Sequence, residues 1–97
     1  MNLEKKIINR LKNVIDPEVR EDIYTLKLVY DIIVDEKKKS VKMKFKPTVY
    51  QCPIGIQLAL AVKSALLEIE ELKEVDVEVT DFYLAEEANN YLRSMEK

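Results

Sequence analysis

Cys52 is the one thiol in this chain. It stands between a strand-like segment and a long apolar segment, and Pro53 follows it directly. Proline suits the first position of a helix, because its missing N–H is not needed there. That spacing predicts Cys52 at a helix N-cap. There, unpaired backbone N–H groups and the positive end of the helix dipole favour a thiolate. A thiolate ligates soft metals or attacks electrophiles. The plainer alternative is a buried cysteine acting as a small hydrophobe.

A second cluster, Asp16, Glu18 and Asp22, precedes the first long strand. Capping and surface solvation are one use for it. The other brings Asp16 or Glu18 beside Cys52 as a ligand, a proton acceptor or an orienting hydrogen-bond partner. The chain has no histidine, which removes a Cys-His dyad, a Ser-His-Asp triad and histidine metal sites. One cysteine cannot hold an iron–sulfur cluster, which usually takes four thiolates. Any metal or cluster would need further ligands from a second subunit, a partner or a small thiol. No glycine-rich loop supports a phosphate cradle.

The elements that position these residues are legible in the apolar spacing. Leu3, Ile7, Ile8, Leu11 and Ile15 predict an amphipathic helix over residues 3–13, with Asn2 as its cap. Asp16-Pro17-Glu18 ends it and predicts a short new helical turn through about Tyr24. Residues 28–35 read as a strand, with Tyr30, Ile32 and Val34 on one side and Val29, Asp31 and Ile33 on the other. A polar loop follows. In residues 41–47, Val41, Met43 and Phe45 alternate with Lys42, Lys44 and Lys46, which puts one face in the core and one in water.

Residues 53–72 predict the long helix, its buried stripe running through Ile54, Leu58, Ala61, Ala65, Ile69 and Leu72. Val75, Val77 and Val79 alternate with Asp76, Glu78 and Thr80 as a third strand. Leu84, Ala88, Tyr91, Leu92 and Met95 mark a last helix. The order helix, strand, strand, helix, strand, helix predicts a two-layer α+β domain. Its three-stranded mixed sheet carries the helices on one face. On the open face, Lys42, Lys44 and Lys46 are expected near Asp31, Asp76 or Glu78. Val29 and Ile33 are expected on that open face or under the C-terminal helix; exposed, the pair would be a partner or homodimer surface.

Size and composition set the outer bounds. Ninety-seven residues, 47% hydrophobic and 35% charged, predict one globular domain over residues 1–97. A net charge of −2 gives no global pull toward nucleic acid or an anionic membrane. Locally, Lys37, Lys38, Lys39, Lys42, Lys44 and Lys46 crowd one segment, and carboxylates dominate residues 68–81. Solvated faces are the plain reading, and a docking face is the sharper one. A KH-type RNA clamp needs Gly-x-x-Gly, and this chain has Gly55 alone. A lone cysteine forms no internal disulfide and suits a reducing compartment. Met1-Asn2-Leu3-Glu4-Lys5-Lys6 lacks a signal-peptide pattern, and the longest apolar run, Leu58 to Val62, is far too short to span a bilayer. A cytoplasmic protein without membrane contact is the expectation.

Three stretches taken together resemble a known family. They are Asp16-Pro17-Glu18, then residues 22–30 (Asp-Ile-Tyr-Thr-Leu-Lys-Leu-Val-Tyr), then Thr48-Val49-Tyr50-Gln51-Cys52-Pro53. The set resembles the PaaD/SufT-like iron–sulfur cluster assembly domain, over residues 3–95. Lys27 stands where that family has glycine, Tyr50 replaces its proline before the cysteine, and Asp81-Phe82-Tyr83 replaces its Pro-Trp. The resemblance implies a non-enzymatic accessory factor for cluster assembly, with other assembly proteins and client apoproteins as partners. It implies Cys52 as the functional thiol, supported by Asp16, Glu18, Thr48 and Pro53. Iron or an iron–sulfur cluster would be held transiently, with no stable cofactor. The alternative is a protein-interaction module that uses the open sheet face, with Cys52 structural.

Overall fold

Helix α1 (Leu3–Leu11) begins where Asn2 accepts the Lys5 N–H on its side-chain oxygen at 2.9 Å. That bond satisfies one of the free donors of the first turn. Leu3, Ile7 and Leu11 form its buried stripe. It packs on the later helix α2 (Gly55–Leu67), and Lys6–Glu71 and Arg10–Glu68 ion pairs bridge the exposed side of that contact. The computed structural model describes residues 2–95. The ends of the expected 1–97 domain, residues 1, 96 and 97, lie outside the described residues.

The turn after α1 differs from expectation. Ile15–Asp16 (β1) pairs antiparallel with Glu21–Asp22 (β2) in place of a helical turn begun at Pro17. Ile15 is accordingly exposed and leaves the α1 stripe. The Asp16 side chain explains this, because its Oδ1 accepts the Glu18 N–H at 2.9 Å. Such local bonds compete with helix formation. The helical turn comes later. Asp22 caps it, accepting the Thr25 N–H and hydroxyl at 2.8 and 2.7 Å. These bonds hold its carboxyl below the usual carboxylate range. The turn closes with Leu28 N–H donating to Ile23 O and Lys27 N–H to Tyr24 O. That is a Schellman closure, and Lys27 sits at its left-handed position with φ 60°.

The sheet has the order β3–β4–β5. Strand β3 (Val29–Asp35) is antiparallel to β4 (Ser40–Phe45), and β4 is parallel to β5 (Glu74–Val79), with α2 as the crossover. Val41, Met43 and Phe45 bury beside Val75, Val77 and Val79. On the other face the register sets Lys42 beside Asp76 and Lys44 beside Glu78, and Lys44 Nζ lies 3.7 Å from Asp31. Those cross-strand charges fall where expected.

A bulge corrects the facing of β3. Asp31 and Ile32 together oppose Met43, with Asp31 at φ 51°. One extra residue inverts the alternation beyond it. Val29 is therefore buried against the core, and Ile33 alone of that pair is exposed, at 63%.

Helix α2 is shorter than expected, and its buried face differs. Leu58, Ala59, Val62, Lys63 and Leu66 point inward, whereas Ala61 is exposed. Ile69 and Leu72 remain in the core from the turns that follow. Helix α3 (Ala85–Ser94) buries Ala88 and Leu92 against β5 and α2, leaving Tyr91 exposed. The Asn89 amide receives the Val79 N–H at 2.7 Å and donates to Val79 O at 3.2 Å, so it pairs like a neighbouring strand. Among the described residues no helix is long and apolar enough to cross a membrane.

The left-handed Lys27 yields the first prediction. A non-glycine residue there costs roughly 1 kcal/mol, partly offset by the greater unfolded freedom of glycine. Lys27→Gly should raise stability by up to about 1 kcal/mol, read as a higher urea midpoint. A lower midpoint would contradict the capping role.

Candidate functional site

Parallel pairing brings the C-terminal ends of β4 and β5 side by side. The segments leaving them, residues 46–54 and 80–84, meet there. Thr80 N–H donates to Phe45 O at 2.9 Å, and Tyr83 N–H donates to Tyr50 O at 3.0 Å. Cys52 lies in the first of these segments.

Its position differs from the expected helix N-cap. Gly55 is the first residue of α2 and Ile54 holds the cap position, so Cys52 precedes the helix by three residues. Pro53 is exposed and lies outside the first helical turn. The Cys52 N–H donates to Val49 O at 3.2 Å, and its carbonyl accepts the Gly55 N–H at 3.3 Å. This tight turn leaves the side chain inside, 1% exposed. Cys52 nonetheless forms part of the wall of a surface groove of about 330 Å³, together with Ile56, Leu60, Phe82 and Tyr91.

Aromatic side chains surround this end. The rings of Tyr50 and Tyr83 lie 6.3 Å apart, and Phe82 meets Tyr83 edge-on at 5.2 Å. Val49, Tyr50, Tyr83 and Tyr91 are all exposed. Beneath them Phe82 is buried against Gly55. A Cβ on Gly55 would fall 2.6 Å from two carbons of that ring. The single glycine of the chain is thus set by close approach of a ring and not by a turn. Its place just after Cys52-Pro53 was the one sequence signal for that contact.

Asp16 is fully buried. Its Oδ2 accepts the Thr48 hydroxyl at 2.8 Å while Oδ1 holds the Glu18 N–H. The carboxylate thereby ties the β1 turn to the start of the Cys52 segment. Glu18 contributes its backbone, and its side chain points to solvent. Of the residues singled out in the sequence, Asp16, Glu18 and Thr48 meet in one hydrogen-bonded cluster. Ile33 lies on the open sheet face. Among the described residues no group of three His, Cys, Asp or Glu side chains is placed to hold a metal ion.

Residues 4–79 match the profile of the family described as iron-sulfur cluster assembly protein, and the chain belongs to that family. It is similar to the Fe-S protein maturation auxiliary factor YitW of Bacillus subtilis, 34% identical over 79% of this chain and 74% of that protein. It is also similar to the Fe-S protein maturation auxiliary factor SufT of Staphylococcus aureus, 40% identical over 68% of this chain and 74% of that protein. A crystal structure of a DUF59 domain from Bacillus anthracis superposes with a TM-score of 0.70 at 31% identity, covering 95% of this chain and 92% of that one.

Two substitutions test the construction. Gly55→Ala should lower stability by about 1–3 kcal/mol, because a buried ring must move; thermal unfolding would show it. Asp16→Ala strands the Thr48 hydroxyl and the Glu18 N–H, at about 1–3 kcal/mol. It should also quicken labelling of Cys52 by a thiol reagent in the native state. Unchanged labelling would show that the Asp16–Thr48 bond does not restrain the segment.

Proposed function

We propose that this chain is an accessory factor in the maturation of iron–sulfur proteins. It acts by protein contact at the Cys52 end, with that thiol as a transient ligand for iron or a cluster passing to a client apoprotein. The observation that carries this reading is the set of exposed apolar and aromatic side chains at the Cys52 end: Val49, Tyr50 and Tyr83 on the two segments that meet there, and Tyr91 in the wall of the groove that Cys52 lines. Exposed aromatic residues at such density suit a protein partner, since each ring offers large contact area with a polar tip. Relatives named as Fe-S protein maturation auxiliary factors point the same way.

The iron or cluster is cargo in this reading. Cys52 supplies one soft ligand, and assembly proteins and client apoproteins supply the rest. The thiol is buried at rest, so transfer requires residues 49–53 to part from Phe82 and Tyr83. The backbone bond from Tyr83 to Tyr50 and the ring contacts are what must yield. The partner therefore acts by opening the site, and the chain performs no turnover of its own. Cytoplasm is the compartment this thiol suits.

The burial of Cys52 favours one second reading, an interaction module in which the thiol is only packing. In that case the partner face would include Ile33 and the charged outer side of the sheet.

Cys52→Ala, checked for native folding, separates the two. It should abolish maturation of an iron–sulfur client enzyme in a complementation assay. Tyr50→Ala combined with Tyr91→Ala should weaken maturation while leaving the thiol intact. Full client activity with Cys52→Ala would remove the thiol role and leave the interaction module standing.

A further inference from the structure

Helix α2, which follows the Cys52 turn, carries a charge into the interior. Lys63 is 5% exposed, and among the described residues it is the one lysine or arginine that is buried. Its Nζ donates to Leu92 O at 2.7 Å, satisfying a free carbonyl in the last turn of α3. An ammonium carries three donors. Among the described residues Leu92 O is the one hydrogen-bond acceptor at Nζ, and no carboxylate lies within ion-pair distance. Burial pulls the Lys63 pKa below that of an ordinary lysine, and the nearby Asp76 opposes this less strongly. A buried cation short of counter-charge is costly unless something pairs with it.

Lys63 lines a polar cleft of about 250 Å³ between the outer edge of β5 and the end of α3. Lys42 and Arg93 add positive charge to the lining, and Asp76 and Glu78 add negative charge. Asn89, also in the lining, occupies the edge at Val79. The parallel ladder directs alternate backbone groups of β5 toward β4, as the Thr80 bond to Phe45 shows. Val77, like Val79, therefore turns its N–H and C=O away from β4. No side chain among the described residues bonds to them, and Val77 lines the cleft.

We propose that this cleft binds a small zwitterion of the α-amino acid class, its carboxylate at Lys63 and Arg93 and its ammonium toward Asp76 and Glu78. The two signs of charge in one lining argue for this class. A dianion such as phosphate would meet two carboxylates along with the cations. A simple amine would leave Lys63 unpaired. A carboxylate gives Lys63 the anionic acceptor it lacks, and the ligand's ammonium offsets part of the acidic pair's charge. This site involves none of the residues assigned to the maturation reading, so the two stand or fall separately.

Titration of the full chain with glycine, followed by amide nitrogen–proton NMR, tests the proposal. Saturable shifts are expected at Val77, Glu78 and Asn89. N-acetylglycine, which keeps the carboxylate and loses the charged amine, should bind about tenfold more weakly, and inorganic phosphate should bind no better. Arg93→Gln changes an exposed side chain and should weaken glycine binding about tenfold. Lys63→Met should weaken it at least as much, and Lys37→Gln should leave it unchanged. Absence of saturable shifts with glycine would overturn the proposal. So would equal binding of phosphate, or binding indifferent to Arg93→Gln.

Discussion

The parallel pairing of β4 with β5 is the constraint on which the rest of this structure depends. Parallel neighbours cannot be joined by a tight turn, so α2 must cross between them. The same geometry lays two strand ends together and brings their following segments into contact. Six inward side chains hold the pair, from Val41, Met43 and Phe45 to Val75, Val77 and Val79. Each such buried side chain contributes roughly 1.5–3 kcal/mol. The exposed pair Tyr50 and Tyr83 near Cys52 follows from that pairing, since each comes from the segment leaving one of the two adjacent strand ends.

Within this frame the Cys52 turn is held from three sides. Asp16 grips Thr48 at its start, and Tyr83 holds Tyr50 in its middle. Phe82 packs on Gly55 just beyond it. None of these contacts depends on ionising the thiol. The backbone of Cys52 is bonded to Val49 and Gly55, and its side chain is buried. Access to sulfur is therefore a matter of conformational opening. Local openings of this kind have free energies below that of global unfolding.

Charge on this molecule divides into two kinds. The outer sheet face and the α1–α2 seam carry exposed pairs whose individual worth is about 0–1 kcal/mol, and they mainly keep the faces solvated. Asp16 and Lys63 are buried, and each is tied to backbone or hydroxyl groups of a distant segment. Removing either leaves stranded donors or acceptors, so these two charges fix geometry where the surface charges do not.

Sequence alone determined the order of the three helices and three long strands, the mixed α+β sheet and the inward faces of β4 and β5. Strict alternation leaves only one way to bury Val41, Met43 and Phe45. The family motif around Asp16, Thr48 and Cys52 was equally legible, as was Lys27 in the place of a glycine. The tertiary structure decided what periodicity could not. Helix α2 is apolar on nearly every side, so its packing against α1, α3 and β5 together selected its buried face. The Asp31 bulge set Val29 and Ile33 on opposite faces, burying Val29 and leaving Ile33 exposed, because one inserted residue carries no pattern of its own. Cys52 became interior as the distant Phe82 and Tyr83 came against its segment, and Tyr91 exterior because α3 turns Ala88 and Leu92 toward the core.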